Sequence, residues 1–160
     1  KRKGWFTSNY SPMRDLRGEI IGVVAMIRDH TTEKEHTEAI KRNEERFRAM
    51  IEHGYEGINI LAPDGTVLYS SPVNPKILGY TPEEILGRNS FSHVYEPDLP
   101  KIKSLMAEVV QNPLKVFDVT ARLVHKKGHT IWMEGKAYSL VDHPSVKGVV
   151  LNWRDATEKR

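Results

Sequence analysis

The side chains that could carry chemistry in this chain are seven histidines, scattered among ordinary surface charges, with no cysteine. His125 and His129 flank the sequence Lys126-Lys127-Gly128 and could approach each other across a hairpin turn. A protein metal site needs three or four ligands, and no third ligand type stands beside this pair. We therefore expect no metal site. The absence of cysteine also excludes disulfides, thiolate metal sites and cysteine-based covalent catalysis.

The motifs of common enzymes are missing. The sequence has no glycine-rich phosphate loop, no nucleophile elbow and no paired carboxylates beyond ordinary surface spacing. His36 lies on a predicted helix next to acidic residues, which loosely resembles a phosphoacceptor helix. This helix lacks the proline that usually follows such a histidine, so His36 is interpreted as a solvated residue. His53, His93 and His143 are expected in loops or at element ends. We predict that the chain is not an enzyme.

Composition limits the classes of partner that the chain is expected to bind. The net charge is only +3, and basic residues cluster only at 1–3 and 126–127, so we expect no nucleic-acid partner. No apolar run approaches the 18 residues of a membrane-spanning helix. Hydrophobic residues at 39% and charged residues at 28% are typical of a globular protein.

One phrase occurs twice. GVVAMIRD at 22–29 returns as GVVLNWRD at 148–155, each followed by Thr-Glu-Lys and each preceded by a strand that begins with tryptophan. The two copies start 126 residues apart, at Gly22 and Gly148, which is a domain-sized period. We predict that residues 1–30 are the C-terminal β-hairpin of a preceding unit, that 31–53 form a linker helix, and that 54–160 form a complete domain.

The linker segment is rich in Glu, Lys and Arg and holds no glycine or proline before Gly54. Thr32 and Glu35 have the spacing of a capping box at its start. Ile40, Phe47 and Met50 have a/d-like spacing, interrupted by polar residues. The stripe favours a helix that packs on its own domain or on a second copy of the chain, over a freestanding coiled coil.

The remaining pattern predicts an α+β domain. Alternation and turn residues indicate a hairpin over 55–70 and three strands over 116–125, 130–141 and 146–154. Between them, helices are predicted at 81–87 and 99–111. Strands at both ends of a helical middle favour one antiparallel sheet with helices on one face. The N-terminal hairpin lacks such a sheet, and we expect it to pair with a partner chain or stay mobile.

The last strand ends in Arg154-Asp155-Ala156-Thr157-Glu158. Asp155 can cap a following helix, with Glu158 completing the box and Arg154 or another nearby base holding the carboxylate. Asp29 begins the same Asp-x-Thr before the linker helix. The sequence leaves open a simple cap or a joint that passes strain to the next helix.

In order and spacing, several segments resemble the PAS domain family. They are ERFRAMIEH, APDGTVLY, ILGYTPEEILG, the EPD at 96–98, KKGHTIWMEG and the closing WRDAT, together spanning Phe47 to Arg160. The resemblance implies a five-stranded antiparallel sheet in the order 2-1-5-4-3, with helices cupping a cavity. It also implies a cytoplasmic, homodimeric sensory module of a signalling protein, often a histidine kinase or cyclic-dinucleotide enzyme, with an effector domain following. The parent protein could still be membrane-anchored.

The family's known cofactors can be tested against these residues. Its light sensors form a cysteinyl-flavin adduct, which this chain cannot do. Its haem sensors carry a histidine on the long helix, and 99–111 contains none, so that ligation is not expected. Met106 on that helix is interpreted as core filling. The cofactor, if any, is left unknown, and a small-molecule ligand stays open.

If the family register holds, certain residues of the sheet and nearby segments face the cavity. They are Val149, Leu151 and Trp153, then Met133, Gly135 and Ala137, then Phe117, Val119 and Ala121, with Tyr69 and Phe91 as further candidates. Trp153 either stacks on an aromatic ligand or fills the space left by small residues. Two functions therefore remain: a sensory relay through the Asp-x-Thr joint, or a ligand-free dimerisation and spacing module.

Overall fold

The computed structural model describes residues 3–159, so Lys1, Arg2 and Arg160, the ends of the predicted segments, lie outside the described residues. The chain divides into two compact units, residues 1–48 and 49–160. No helix among the described residues has the length and apolar character needed to cross a membrane.

The first unit holds a two-stranded antiparallel sheet, β1 (Phe6–Arg14) with β2 (Ile20–Asp29). Gly18 turns the chain with φ at +83°, a conformation that suits glycine. Both strands are exposed along almost their whole length. The hairpin forms its own sheet and adds no strand to the five-stranded one.

Helix α1 (Thr31–Glu52) follows the hairpin. The predicted capping box at Thr32 and Glu35 is wrong, because the helix already begins at Thr31. The Thr31 N–H donates to Oδ1 of Asp29 at 2.8 Å, so Asp29 satisfies the open donor at the helix start. No residue of α1 is buried.

The second unit confirms the predicted α+β fold. Its sheet has the order β4-β3-β7-β6-β5, which is 2-1-5-4-3 when these five strands are numbered in chain order. The strands are β3 (Gly57–Leu61), β4 (Val67–Ser70), β5 (Phe117–Val124), β6 (Thr130–Leu140) and β7 (Gly148–Asp155). The helices are α2 (Val73–Leu78), α3 (Pro82–Ile85) and α4 (Leu99–Gln111), with 3₁₀ turns at Ser90–His93, Glu96–Asp98 and Thr157–Lys159.

Local sequence explains the short helices. Pro82 occupies the first turn of α3, and the Thr81 N–H donates to Glu84 Oε2 at 2.8 Å, which ties the helix start. Gly79 ends α2 with φ at +78°. The core lies between the helices and the inner sheet face, and includes Val109, Val119, Val149 and Trp153.

The two hairpins share one register. The β1–β2 pairing reproduces the β6–β7 pairing residue for residue over the repeat. Thus Phe6 opposite Asp29, Ser8 opposite Ile27, Tyr10 opposite Ala25 and Pro12 opposite Val23 correspond to Met133 opposite Asp155, Gly135 opposite Trp153, Ala137 opposite Leu151 and Ser139 opposite Val149. The repeat seen in the sequence is therefore also a repeat of strand pairing.

Candidate functional site: an apolar cavity and a sheet-end joint

A cavity of about 100 Å³ lies between the inner sheet face and the helices of the second unit. Aliphatic side chains from β3, β5, β6, β7, α2 and α4 form most of its wall. Its polar lining comes from Asn59, Asn74, Ser90 and His93, and no Asp, Glu, Lys or Arg of the described part of the chain lines it. The cavity is therefore suited to an uncharged ligand.

Most of the predicted cavity residues lie on the expected face. Trp153, Leu151, Met133 and Phe91 line the cavity. Ala121 is fully buried and Phe117 packs on the core, but neither lines the cavity.

The placement of Tyr69 at the cavity is wrong. The register between β3 and β4 shifts between Ile60 and Leu61, so Tyr69 stands opposite Ile60 and Val67 opposite Leu61. Leu61 and Val67 line the cavity, whereas Ile60 and Tyr69 point to the other sheet face. Tyr69 is 36% exposed there.

Trp153 is fixed by a buried hydrogen-bond network. Its Nε1 donates to Oδ1 of Asn59 at 2.9 Å, and Nδ2 of Asn74 donates to the same oxygen at 2.8 Å. Because an indole N–H can only donate, it assigns the accepting oxygen of Asn59, which in turn assigns the donating nitrogen of Asn74. Asn74 Nδ2 also lies 3.0 Å from the Ile58 carbonyl and 3.0 Å from Ser70 Oγ. The network joins α2, β3, β4 and β7.

Two glycines make room for this network. A Cβ on Gly57 would lie 1.8 Å from Asn74 Oδ1 and 2.7 Å from Trp153 Nε1. A Cβ on Gly135 would lie 2.2 Å from the Asn152 carbonyl oxygen and 2.8 Å from Cα of Trp153. Real Cβ contacts of this kind do not occur, so the indole and the Asn74 amide take the space of the absent side chain at Gly57, and the backbone of β7 takes it at Gly135.

His93 lines the cavity and has a buried ring nitrogen. Its ring packs against Tyr80 with centroids 4.5 Å apart. Nε2 is buried and has no hydrogen-bond partner among residues 3–159. Burial, and then the charge of Arg88, lower the pKa of His93, so the ring is neutral at pH 7.

The long helix is anchored to the sheet by an ion pair. Arg122 of β5 meets the Asp98 carboxylate through Nε at 3.0 Å and Nη2 at 2.6 Å, and its backbone N–H also donates to Asp98. The hydrogen bond from Arg122 is the main cause that holds the pKa of Asp98 below its ordinary value. Tyr95 and Trp132 flank the guanidinium at 4.4 and 5.3 Å. This anchor fixes the start of α4 over the cavity.

The Asp-x-Thr joint at the end of β7 ties the following turn to β6. Oδ1 of Asp155 accepts the Thr157 N–H at 2.8 Å and also the Thr157 hydroxyl. The Thr157 oxygen accepts the Trp132 N–H at 2.9 Å, and the Ala156 N–H donates to the Trp132 carbonyl at 2.8 Å. The backbone of Trp132 is therefore held on both sides.

The same joint is built at the end of β2. The Thr31 N–H donates to Asp29, the Trp5 N–H donates to the Thr31 hydroxyl at 3.0 Å, and the His30 N–H donates to the Trp5 carbonyl at 2.8 Å. The hydrogen bonds of Thr31 lower the pKa of Asp29. In this copy the joint leads directly into α1.

Two details of the predicted joint are wrong. Arg154 does not bind Asp155, because its Nη2 lies 3.3 Å from Oε2 of Glu134, on the neighbouring strand β6. Glu158 makes no side-chain hydrogen bond within residues 3–159, because the segment after Asp155 is a single 3₁₀ turn and not a longer helix. The contact expected of Asp155 itself, as a cap, is present.

The remaining predicted residues are a histidine pair in the second unit and the apolar stripe of α1. The rings of His125 and His129 stack with centroids 4.3 Å apart, and no group of three metal-ligating side chains occurs among the described residues. Ile40, Phe47 and Met50 of α1 are exposed.

Sequence reasoning missed Asn59, Asn74 and His93. Asn59 is buried with Gly57 and Leu61. The alternation of Ile58, Ile60 and Ala62 in the sequence favours the opposite face of the strand as the inward one, so the pattern gave no signal for Asn59. Asn74 and His93 lie in the proline-interrupted segment, where no periodicity indicates which side chains face inward.

Comparisons with known proteins agree with this geometry. The chain is 27% identical over 126 residues to the sensor histidine kinase TmoS of Ectopseudomonas mendocina, covering 76% of this chain and 13% of that protein. It is 29% identical over 87 residues to basic helix-loop-helix ARNT-like protein 2 of Gallus gallus, covering 54% of this chain and 14% of that protein. The chain thus spans about one-seventh of the length of these curated relatives or less.

The fold also matches solved structures. The crystal structure of the PAS domain of an HTR-like protein from Haloarcula marismortui superposes with a TM-score of 0.66 at 18% identity, covering 76% of this chain and 98% of that one. The profile of the PAS fold matches residues 67–150, more than half of the chain. With its 2-1-5-4-3 sheet and helices over an internal cavity, the chain belongs to the PAS fold family.

Proposed function

We propose that the chain is a sensory relay module of a longer signalling protein, in which a change at the cavity passes through the Asp-x-Thr joint to the next helix. The observation that carries the proposal is that the joint is built twice, once at Asp29 and once at Asp155, with three hydrogen bonds in common. Similarity to a sensor histidine kinase supports the signalling context. PAS domains are in general non-catalytic sensors, which fits the absence of enzyme motifs in the sequence.

The joint is suited to relay because it links cavity wall and exit. Trp132 is followed by Met133, which lines the cavity, while Thr157, bonded to the Trp132 N–H, begins the exit turn. A displacement of β6 would therefore move the exit segment through the two hydrogen bonds at Trp132. Such a two-state shift, biased by a ligand or a neighbouring domain, is an established form of switching.

Thr157→Val tests this relay, since it removes the oxygen that accepts the Trp132 N–H while keeping the side-chain shape. We expect faster amide hydrogen exchange at Trp132 and, in the longer signalling protein, a several-fold change in output at unchanged protein level. Thr120→Val makes the same substitution on the outer face of β5 and serves as the control. Output that is the same for both variants would contradict the relay.

The repeat supports a proposal on domain organisation. Residues 1–30 form the C-terminal hairpin of a preceding PAS-like unit, 31–53 link the units, and 54–160 form the complete domain. The shared strand register and the shared joint support this assignment. A longer chain that begins about 80 residues upstream should protect β1 and β2 from hydrogen exchange if the assignment is right.

A second candidate function, a ligand-free dimerisation and spacing module, is favoured by α1. Its stripe of Ile40, Phe47 and Met50 is 69%, 62% and 68% exposed, and a helix with no buried residue gains little stability from its own chain. The occupant proposed for the stripe is the α1 helix of a second copy, giving a homodimer.

Sedimentation tests the dimer. Ile40→Ser with Phe47→Ser should shift the mass to the monomer at micromolar concentration. Lys41→Ser with Glu45→Ser, on the opposite side of the helix and with no net change in charge, should not. A wild-type chain that is already monomeric at high micromolar concentration would refute this candidate.

A further inference from the structure

The turn between β5 and β6 is docked onto the end of α2. The Lys126 N–H donates to the Leu78 carbonyl at 3.0 Å, and Nζ of Lys126 lies 2.7 and 2.8 Å from the two carboxylate oxygens of Glu84 in α3. The imidazole of His125 covers Gly79, where a Cβ would lie 2.6 Å from Cε1 of the ring. The turn therefore contacts the two short helices through one backbone hydrogen bond, one ion pair and one ring.

Two imidazole rings are stacked within this turn. The rings of His125 and His129 have centroids 4.3 Å apart and an interplanar angle of 19°. Nδ1 of His125 accepts the Lys127 N–H at 3.0 Å. Because a backbone N–H can only donate, this bond requires a ring that carries no proton on Nδ1. The geometry of the turn is thus that of the neutral His125.

Protonation of His125 on Nδ1 would oppose this geometry in two ways. It would remove the acceptor of the Lys127 N–H, and when His129 is protonated too, it would place two positive charges in stacked rings. Burial, and then the charges of His129 and Lys127, lower the pKa of His125. The docked turn therefore disfavours the protonated ring and, by linkage, the protonated ring disfavours the docked turn.

No carboxylate of the described residues forms an ion pair with either ring. The charged residues of the turn and of the two short helices that it contacts are Lys126, Lys127, Lys76, Glu83 and Glu84. Glu84 is bonded by Lys126, and the ion pairs within residues 3–159 include none to His125 or His129. A proton taken up by the pair therefore adds positive charge to a turn that already has two lysines.

We propose that the β5–β6 turn, residues 125–129, is a proton-operated latch, which is released from α2 when His125 is protonated on Nδ1. Release separates the imidazole from Gly79 and the Lys126 N–H from its carbonyl acceptor, while the strands of the sheet stay paired. Because α2 also carries Asn74 of the buried network at Trp153, release loosens one support of that network. Acid thus becomes an input to the domain that goes beyond the proposed relay and needs no ligand in the cavity.

The test follows the amide NMR signals of the full 160-residue chain between about pH 8 and pH 5. The Lys127 and Gly79 amides should shift along one sigmoid whose midpoint lies below the ordinary histidine value of about 6.5. Across that midpoint the hydrogen-exchange protection of the Lys126 amide, corrected for the intrinsic pH dependence of exchange, should fall about three- to ten-fold, the range of one hydrogen bond. The strand amides of β6 and β7 should keep their protection.

Two variants make the test specific. His125→Phe keeps a ring over Gly79 and cannot be protonated, so the transition at Gly79 should disappear. His129→Phe keeps a stacked ring and removes its charge, so the midpoint at Gly79 should rise. His93, whose ring contacts Tyr80 next to Gly79, is unchanged in both variants, so its titration cannot account for either result.

His143→Phe is the matched control. Nδ1 of His143 accepts the Ser145 N–H at 3.1 Å, which is the same kind of bond as in the latch. This histidine belongs to the turn between β6 and β7, so its replacement should leave the transition at Gly79 unchanged. If His125→Phe does not fold, His125→Gln provides the same test with a side chain that does not titrate.

Four results would overturn the proposal. The first is a wild-type chain with no pH-dependent change at Gly79 and Lys126. The second is a transition that persists in His125→Phe or His125→Gln, and the third is a midpoint that does not rise in His129→Phe. The fourth is a loss of protection that spreads equally through β6 and β7, because that would be unfolding of the whole unit and not release of a turn.

Discussion

The hairpins β1–β2 and β6–β7 have the same register and the same terminal joint, but opposite environments. In β6–β7 the inward positions Met133, Ala137, Val149 and Trp153 are buried, whereas the hairpin β1–β2 is exposed on both faces. Pairing and capping are therefore encoded within about 25 residues, because both copies have them. Burial of a strand depends on the rest of a domain. Residues that are needed only because the strand is buried therefore depend on the rest of the domain too.

The copies differ at the positions where burial matters most. Gly135 and Trp153 face each other across β6 and β7, and Ser8 and Ile27 hold the corresponding positions in β1 and β2. A side chain is absent at Gly135 because its Cβ would lie 2.2 Å from the Asn152 carbonyl oxygen and 2.8 Å from Cα and Cβ of Trp153.

The largest effect is expected from Gly135→Ser, which gives β6 the residue found in β1. Its Cβ would meet the Asn152 carbonyl oxygen at 2.2 Å, so the two strands must separate. We expect a loss of about 3 kcal/mol or more in the free energy of unfolding of the second unit, measured by urea denaturation.

The reciprocal change, Ser8→Gly, is the control. Glycine within an exposed strand costs at most about 1 kcal/mol through backbone entropy, and none of that falls on the second unit. Equal urea midpoints for Gly135→Ser and wild type would show that β6 and β7 tolerate the displacement, and would weaken the comparison.

A smaller loss is expected from Trp153→Phe, about 2 kcal/mol. The substitution removes the N–H that binds Asn59 and leaves space at a side chain that is 2% exposed. The Asn59 oxygen keeps its bond from Asn74, which limits the loss. Ile27→Val at the matching position of β2, 64% exposed, should change stability by less than about 0.5 kcal/mol.

Urea titration of both variants, followed by near-ultraviolet circular dichroism, measures the difference. A loss in Trp153→Phe no larger than in Ile27→Val would mean that the indole network does not stabilise the fold. Xenon binding should also increase in Trp153→Phe, because a phenyl ring next to Cβ leaves empty the space of the outer, six-membered ring of the indole.

The sequence predicts local strand pairing better than it predicts burial. Alternation, turn residues and the repeat predicted all seven strands and the long helix at 99–111, because these signals are local. The face of Tyr69 was lost at a single register shift between Ile60 and Leu61, which reverses every later side chain of β4. No pattern in the sequence predicts that shift.

The site was less predictable than the fold. Trp153 and Asn59 bond across 94 residues of sequence, so neither residue's neighbours reveal the partner. Cavity volume is the small difference between large packed volumes, and a change of one side chain alters it. The inward positions of regular strands could be named, whereas His93, on a 3₁₀ turn, could not.

The smallest expected effect is a fall in stability of the second unit as the pH drops below the ordinary histidine value of about 6.5. Burial is the first cause that lowers the pKa of both His93 and His125, with Arg88 adding to it at His93, and His129 and then Lys127 at His125. The ring of His125 also covers Gly79 at the end of α2, and its Nδ1 accepts the Lys127 N–H at 3.0 Å.

A lowered pKa in the fold means that the unfolded chain takes up protons first, so stability is constant above about pH 7 and falls between about 6.5 and the lowered values. Asp98 and Glu84, whose pKa values are also lowered, affect stability only below their ordinary values near 4, so the windows separate. The urea midpoint should therefore fall as the pH drops below about 6.5, and His93→Phe with His125→Phe should reduce that fall. Strands β1 and β2 contain no histidine, and their amide signals are the internal reference. An equal fall in the double variant would place the acid sensitivity outside these two rings.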